Sequence, residues 1–282
     1  MAERRKVIVL DDDPTGSQTV HSAPLLLRWD AASLRQGLRH ASPLLFVLAN
    51  TRALEPEAAR ARIREICRTL RAELTAAQAA GELDRWLIVS RGDSTLRGHF
   101  PLEVEAIAAE LGPFDATLIV PAFLPGGRTT RARVHYLHGQ PVHTTPFARD
   151  RFFGFGSSDL AAWVEEKTQG RIAAASVQHI SLAELEGPPA SLQARLASLR
   201  DQQMVVVDAE RQEQLEALGA AIWAVCDSGL AQPRRLLMQS AASLINGLVP
   251  LPPQPLDAAG LAALRRRDRR GAALPALVMV GS

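Results

Sequence analysis

Apolar residues fall into two alternating patterns along the chain. Short runs rich in Val, Ile and Leu recur at Lys6 to Leu10, Leu25 to Arg28, Leu44 to Leu48, Trp86 to Val89, Thr117 to Val120, Met204 to Val207 and Leu277 to Val280. Continuous rather than alternating apolar runs are expected of strands covered on both faces, as in a mostly parallel sheet. The segments between them read as helices. The clearest starts at Pro56 and carries Ala59, Ile63, Ile66, Leu70 and Leu74 at helical spacing up to Gly81. A second follows Pro101, with Val104, Ile107 and Leu111 inward and Gly112-Pro113 as its stop. The pattern predicts an α/β fold: a mostly parallel sheet flanked by helices in a Rossmann-like three-layer arrangement.

Between Pro121 and Ser158 the alternation stops, and Gly126-Gly127, a His/Tyr-rich stretch and Arg151-Phe152-Phe153 predict an inserted hairpin and long loop. A second break, Pro250-Leu251-Pro252-Pro253-Gln254-Pro255, has the composition of a stiff linker. This organisation predicts a main domain over 1–249, a Pro/Arg-rich linker over 250–275, and over 276–282 the first strand of a further domain. A buried-type strand followed by Gly281-Ser282 ordinarily opens a new βα unit, so the protein is expected to continue.

Composition narrows the function classes. With 282 residues, 47% of them hydrophobic, the chain can bury a large core. The net charge is +2 and the basic residues are almost all arginine, with Lys6 and Lys167 the only lysines. That balance gives no reason to expect a nucleic-acid partner, and the Arg265 to Arg270 cluster reads as a solvated helix end. Cys67 and Cys226 lie in helical apolar patterns without metal spacing and read as buried thiols. No apolar run approaches the roughly 18 residues of a membrane span, and strand-like sequence from Val7 leaves no room for a signal peptide. A cytoplasmic protein with a small-molecule partner is expected, and the apolar content is compatible with a homodimer.

Ligands of open α/β sheets bind beyond the carboxyl ends of the strands. Leu10 is followed by Asp11-Asp12-Asp13-Pro14-Thr15-Gly16, Leu48 by Asn50-Thr51-Arg52, Val89 by Ser90 to Gly98, Val120 by Pro121 to Arg128, and Val207 by Asp208. Three adjacent aspartates raise one another's pKa unless something cationic answers them. Arg52, Arg91, Arg97 and Arg128, or a Mg²⁺ ion, are the candidates. In Asp93-Ser94-Thr95-Leu96-Arg97-Gly98 an acid can accept a substrate hydroxyl, an arginine can grip a carboxylate and a glycine admits close approach. The same residues also fit a helix start, with Ser94 or Thr95 as N-cap. The histidines show no metal spacing and read as surface or core-edge residues.

Together, Asp12-Asp13-Pro14-Thr15-Gly16, Asp93 to Gly98 and Pro121-Ala122-Phe123 with Gly127-Arg128 resemble the four-carbon acid sugar kinase family. Asn50-Thr51-Arg52, Val206-Val207-Asp208 and Ala241-Ala242-Ser243 extend the resemblance over essentially the whole chain. It implies the substrate-binding portion of an ATP-dependent kinase acting on a threonate- or erythronate-type acid, with ATP and Mg²⁺ as cofactors. Asp93 or Asp13 is then the base and Arg97 a catalytic cation. Asp12, Thr15, Gly16, Arg52, Ser94, Thr95, Gly98 and Arg128 bind substrate, while Gly281 and Ser282 touch nucleotide. Two departures are Arg91-Gly92, where many relatives carry a lysine, and the third acid, Asp11. Two other readings stay open. Val7 to Thr15 also fits a haloacid-dehalogenase-like phosphatase, with Asp11 as nucleophile and Asp13 as acid/base. A non-catalytic sugar-acid-binding protein is the other.

Overall fold

The computed structural model of the chain describes residues 4–17, 19–227, 229–253 and 256–275. They divide into two compact units, Met1–Pro250 and Leu251–Ser282.

The first unit is built on an eight-stranded sheet in the order β2-β3-β1-β4-β11-β5-β10-β9. Its strands are β1 (Arg5–Asp11), β2 (Leu25–Leu26), β3 (Leu44–Leu48), β4 (Arg85–Arg91), β5 (Ala116–Val120), β9 (Gln178–Ile180), β10 (Gln203–Val207) and β11 (Leu236–Ser240). Every pair within it is parallel, which places all carboxyl ends on one edge. Six of these strands match predicted runs. β9 and β11 were not predicted, and β11 lies in the middle, between β4 and β5. The predicted Leu277 to Val280 strand lies outside the described residues.

The helices are α1 (Ala31–Arg39), α2 (Pro56–Ala79), α3 (Leu102–Leu111), α4 (Leu160–Lys167), α5 (Leu182–Glu186), α6 (Pro189–Ala197), α7 (Gln212–Val225) and α8 (Ala242–Leu248). α1, α2 and α3 pack side by side. Their stripe of Leu34, Leu38, Ile63, Ile66, Leu70 and Ile107 forms one core with Ile8, Leu10, Leu45, Val47 and Ile88 of the sheet. The alternate strand residues Val7, Val9, Phe46 and Val89 are equally buried, because successive side chains of a strand point to opposite faces. α5 to α8 pack among themselves to form the second layer. With about 0.8 kcal/mol gained per buried CH₂, this two-sided burial explains why the central strands read as unbroken apolar runs.

The predicted insertion is a separate antiparallel sheet of β6 (Arg128–Arg131), β7 (Val134–Leu137) and β8 (Gln140–Pro141), followed by short 3₁₀ turns. Asp208, at the end of β10, closes this hairpin rather than facing a ligand. Its carboxylate accepts from the backbone N–H groups of Ala132 (2.9 Å) and Arg133 (3.0 Å), both at positive φ.

In the second unit, α9 (Ala258–Ala263) is capped by Asp257, which accepts from the Gly260 N–H. The arginines beyond it are exposed. Among the described residues no helix is long and apolar enough to cross a membrane.

Candidate functional site

The chain runs from β1 to β2 and β3 on one side, then returns to β4 on the other side of β1. Strand order therefore reverses between β1 and β4, the place where open sheets leave a crevice at their carboxyl edge. Backbone bonds fix the strand ends there. Asp12 N–H donates to the Arg91 carbonyl (3.2 Å), Ala49 N–H to that of Asp11 (2.9 Å), and Arg52 N–H to that of Asp12 (3.1 Å). Asn50 turns the chain after β3 with a left-handed φ of 49°.

Arg52 answers the aspartate run directly. Its Nε and Nη2 donate to the two oxygens of Asp12 at 2.9 and 2.6 Å, and its Nη1 pairs with Asp13. Each of its three nitrogens thereby meets a carboxylate oxygen, so Arg52 holds the acids in place. Arg91 reaches the same cluster. Its Nη1 stands 3.6 Å from Asp11 and 3.5 Å from each of Asp12 and Asp13.

Asp11 is 1% exposed, and neither of its carboxyl oxygens has a hydrogen-bond partner among the described residues. Burial, opposed by Arg91, pushes its pKa up to about 7. A Cβ on Gly16 would sit 1.9 Å from an Asp11 oxygen, so the glycine is what lets the loop close over this carboxyl. Burial also pushes Asp12 up, against the pull of Arg52. Asp13 behaves differently. Burial raises it, but hydrogen bonds from Thr15 and the charges of Arg52 and Arg91 hold it below the usual range. Thr15 donates to Asp13 from both its N–H (2.8 Å) and its hydroxyl (2.5 Å).

Three carboxylates this close suit a divalent cation in principle. Here the Arg91 guanidinium, within 3.6 Å of all three, already supplies them with a positive charge.

The second half of the site is the loop after β4. Asp93 accepts from Arg97 Nε at 2.6 Å and from the Thr95 hydroxyl. Burial raises Asp93, but the Arg52 charge and these two hydrogen bonds hold it below the usual range. Arg97 lies 4.9 Å over the Phe147 ring and 4.0 Å from Asp150. No hydrogen bond engages its Nη2 among the described residues. Gly98, at φ 126°, brings the backbone beside Asp12. The capping role considered for Ser94 and Thr95 is not realised: α3 begins later, behind Pro101, with no side-chain cap.

His135 corrects the expectation of surface or core-edge histidines, since it is fully buried. Its Nε2 donates to the Ser94 carbonyl (2.8 Å), and its Nδ1 lies 2.9 Å from the Thr130 hydroxyl. Burial lowers its pKa to about 4, leaving a neutral ring that braces the loop from the inserted hairpin.

Glu103, on the first turn of α3, was not foreseen. It is 4% exposed and accepts from the Thr51 hydroxyl. Burial and then the Asp12 charge raise its pKa to about 8. The one sequence cue was an acid within the apolar face of Leu102 to Leu111.

Asp12, Asp93, Arg97, Gly98 and Glu103 share a recess of about 20 Å³. A far larger cavity, about 1020 Å³, lies beside Lys6, Arg85 and Trp223, at the amino-terminal ends of the strands. Arg128 stands outside the carboxylate network. It donates to the Gly126 carbonyl (2.7 Å), stacks on Phe123, and leaves a buried Nε without a partner among the described residues. Gly281 and Ser282 lie outside the described residues.

Residues 7–248 match the model of a family described as "Sugar-binding N-terminal domain". The chain belongs to this family. In it, the chain is 25% identical over 287 aligned residues to a D-erythronate kinase of Heliobacterium modesticaldum, covering 98% of this chain and 57% of that protein. It is 36% identical over 89 residues to a D-threonate kinase of Bordetella bronchiseptica, covering 29% of this chain and 22% of that one. The chain spans little more than half the length of the first of these relatives. Among solved structures, a DUF1537 protein from B. bronchiseptica, a domain-swapped dimer with bound citrate, superposes with a TM-score of 0.64 at 25% identity. The match covers 88% of this chain and 57% of that one. Haemophilus influenzae protein HI1011 shares the fold, with a TM-score of 0.61 at 17% identity over 86% of this chain and 55% of its own.

The phosphatase reading finds no support in this geometry. A nucleophilic carboxylate must reach its substrate, whereas Asp11 is enclosed beneath Gly16.

Proposed function

We propose that this domain binds a four-carbon sugar acid of the erythronate or threonate type and presents one of its hydroxyls for ATP-dependent phosphorylation. The observation carrying this reading is the pairing of Asp93 with Arg97 at the rim of the switch-point recess. An ionised acceptor for a hydroxyl and a guanidinium with an unengaged Nη2 stand side by side, in a chain whose relatives are named as erythronate and threonate kinases.

Arg97 holds the substrate carboxylate through that Nη2 edge, and Arg52 keeps Asp12 and Asp13 in position. A hydroxyl against Asp93 passes its proton to that carboxylate as its oxygen bonds the terminal phosphorus of ATP, whose bond to the bridging oxygen breaks and releases ADP. A carboxylate of low pKa serves because the hydroxyl becomes strongly acidic only as the new P–O bond forms. Asp93 is preferred to Asp13 as the base because it lines the recess, which Asp13 does not. Mg²⁺ accompanies the phosphates of ATP in this reading and is not assigned to the Asp11–Asp13 cluster.

Calorimetric titration with the D and L forms of erythronate and threonate tests it. Binding of one acid, weakened about tenfold or more by Arg97→Ala, is expected. A folded chain that binds none of them would refute the assignment.

A further inference from the structure

The recess contains a polar side chain that the reading above leaves unused. Gln239 sits near the carboxyl end of the central strand β11, in register with Ser90 on β4 and Ile119 on β5. Its side chain lines the recess with Asp12, Asp93, Arg97 and Glu103. Its Oε1 is buried without a hydrogen-bond partner among the described residues. Gly92 makes room for the amide, since a Cβ there would stand 2.6 Å from Gln239 Nε2. Turning the amide over would put an NH₂ in the same unpartnered place. In either orientation a buried polar atom of the amide meets no protein partner among the described residues, and an unmade buried hydrogen bond is costly.

Size and charge define that occupant. About 20 Å³ admits a single water-sized group. Asp12, Asp93 and Glu103 surround it, so an anionic group is repelled and a carboxylate end belongs outside, at Arg97. A neutral hydroxyl satisfies both conditions, because it can donate to one oxygen while accepting from the Gln239 NH₂ or a protonated Glu103.

We propose that Gln239 is a specificity-determining residue that binds one hydroxyl of the polyhydroxy acid in this recess and so selects hydroxylated acids over their deoxy counterparts. The inference rests on the sugar-acid reading of the site. A pocket built to hydrogen-bond a hydroxyl rejects the analogue lacking it far more strongly than an apolar pocket rejects a changed methylene.

The test is calorimetric binding of the preferred tetronate and its monodeoxy analogues to the whole chain, as wild type, Gln239→Leu and Gln239→Met. Circular dichroism confirms the fold, and the Met variant serves if Leu is not accommodated. The wild type is expected to disfavour one monodeoxy analogue by about tenfold or more, and both variants to bind that analogue and the parent acid equally. A wild-type preference that persists in a folded variant would overturn the inference while leaving the sugar-acid reading intact, and would assign the recess to a structural water. A folded wild type that binds none of these acids would overturn both.

Discussion

His135 Nε2 donates to the carbonyl of Ser94 across 2.8 Å, joining the inserted hairpin to the loop that carries Asp93 and Arg97. His135→Phe removes that donor and leaves the Ser94 carbonyl and the Thr130 hydroxyl without their partner in a dry environment. A loss of about 1–3 kcal/mol is expected, read by urea unfolding, with a parallel loss of sugar-acid affinity. Affinity unchanged in a destabilised variant would mean that the brace supports the fold without setting the site.

Glu103 gives stability a pH dependence of definite sign. Its pKa rises from 4.5 to about 8 on folding, so the folded state holds the proton more tightly. The associated stabilisation is complete below pH 4.5 and is lost as the pH climbs towards 8. Glu103→Gln, which keeps the neutral form's shape, is expected to flatten that decline. Unfolding free energies of the two proteins measured across this window check it, and parallel curves would exclude Glu103 as its source.

Millimolar Mg²⁺ without nucleotide is expected to leave the melting temperature of the wild-type chain unchanged, since Arg91 already neutralises the aspartates. Arg91→Ala exposes the repulsion among them. That variant should melt lower and recover several degrees on adding Mg²⁺, as ligand linkage requires. Differential scanning fluorimetry distinguishes these behaviours, and a Mg²⁺-induced rise in the wild type would contradict closure by Arg91.

Gly16→Ala forces a methyl group into the Asp11 carboxyl and is expected to cost about 1–3 kcal/mol. Combining it with Asp11→Ala should recover part of that loss, because the clash is specific to the pair. A double-mutant cycle reads the coupling, and strict additivity would count against it.

Much of the frame was legible because its determinants are local. Leu44 to Leu48 is a strand with the predicted limits, and α2 starts at the predicted Pro56. β11 escaped notice because Leu236-Leu237-Met238 is short, has no β-branched residue and emerges from a Gly/Pro-containing stretch. Its central place depends on pairing with strands more than a hundred residues earlier. Gln239 was missed along with it. Within the site, Asp12, Asp13, Arg52, Asp93 and Arg97 could be read as strand-end polar residues and do converge. The sequence could not tell that Arg52 pairs with both Asp12 and Asp13, or that Glu103 reaches the site from a helix. Both depend on packing between distant segments.

The position of β11 also constrains when the site can exist. It is the last strand of the sheet to be synthesised, yet it alone joins β2-β3-β1-β4 to β5-β10-β9. Until Leu236–Ser240 has left the ribosome, β4 and β5 each present an unpaired edge, and the wall that bears Gln239 is absent. A chain that ended before Leu236 would leave both edges open to strand addition. The last strand to arrive both closes those edges and completes the recess.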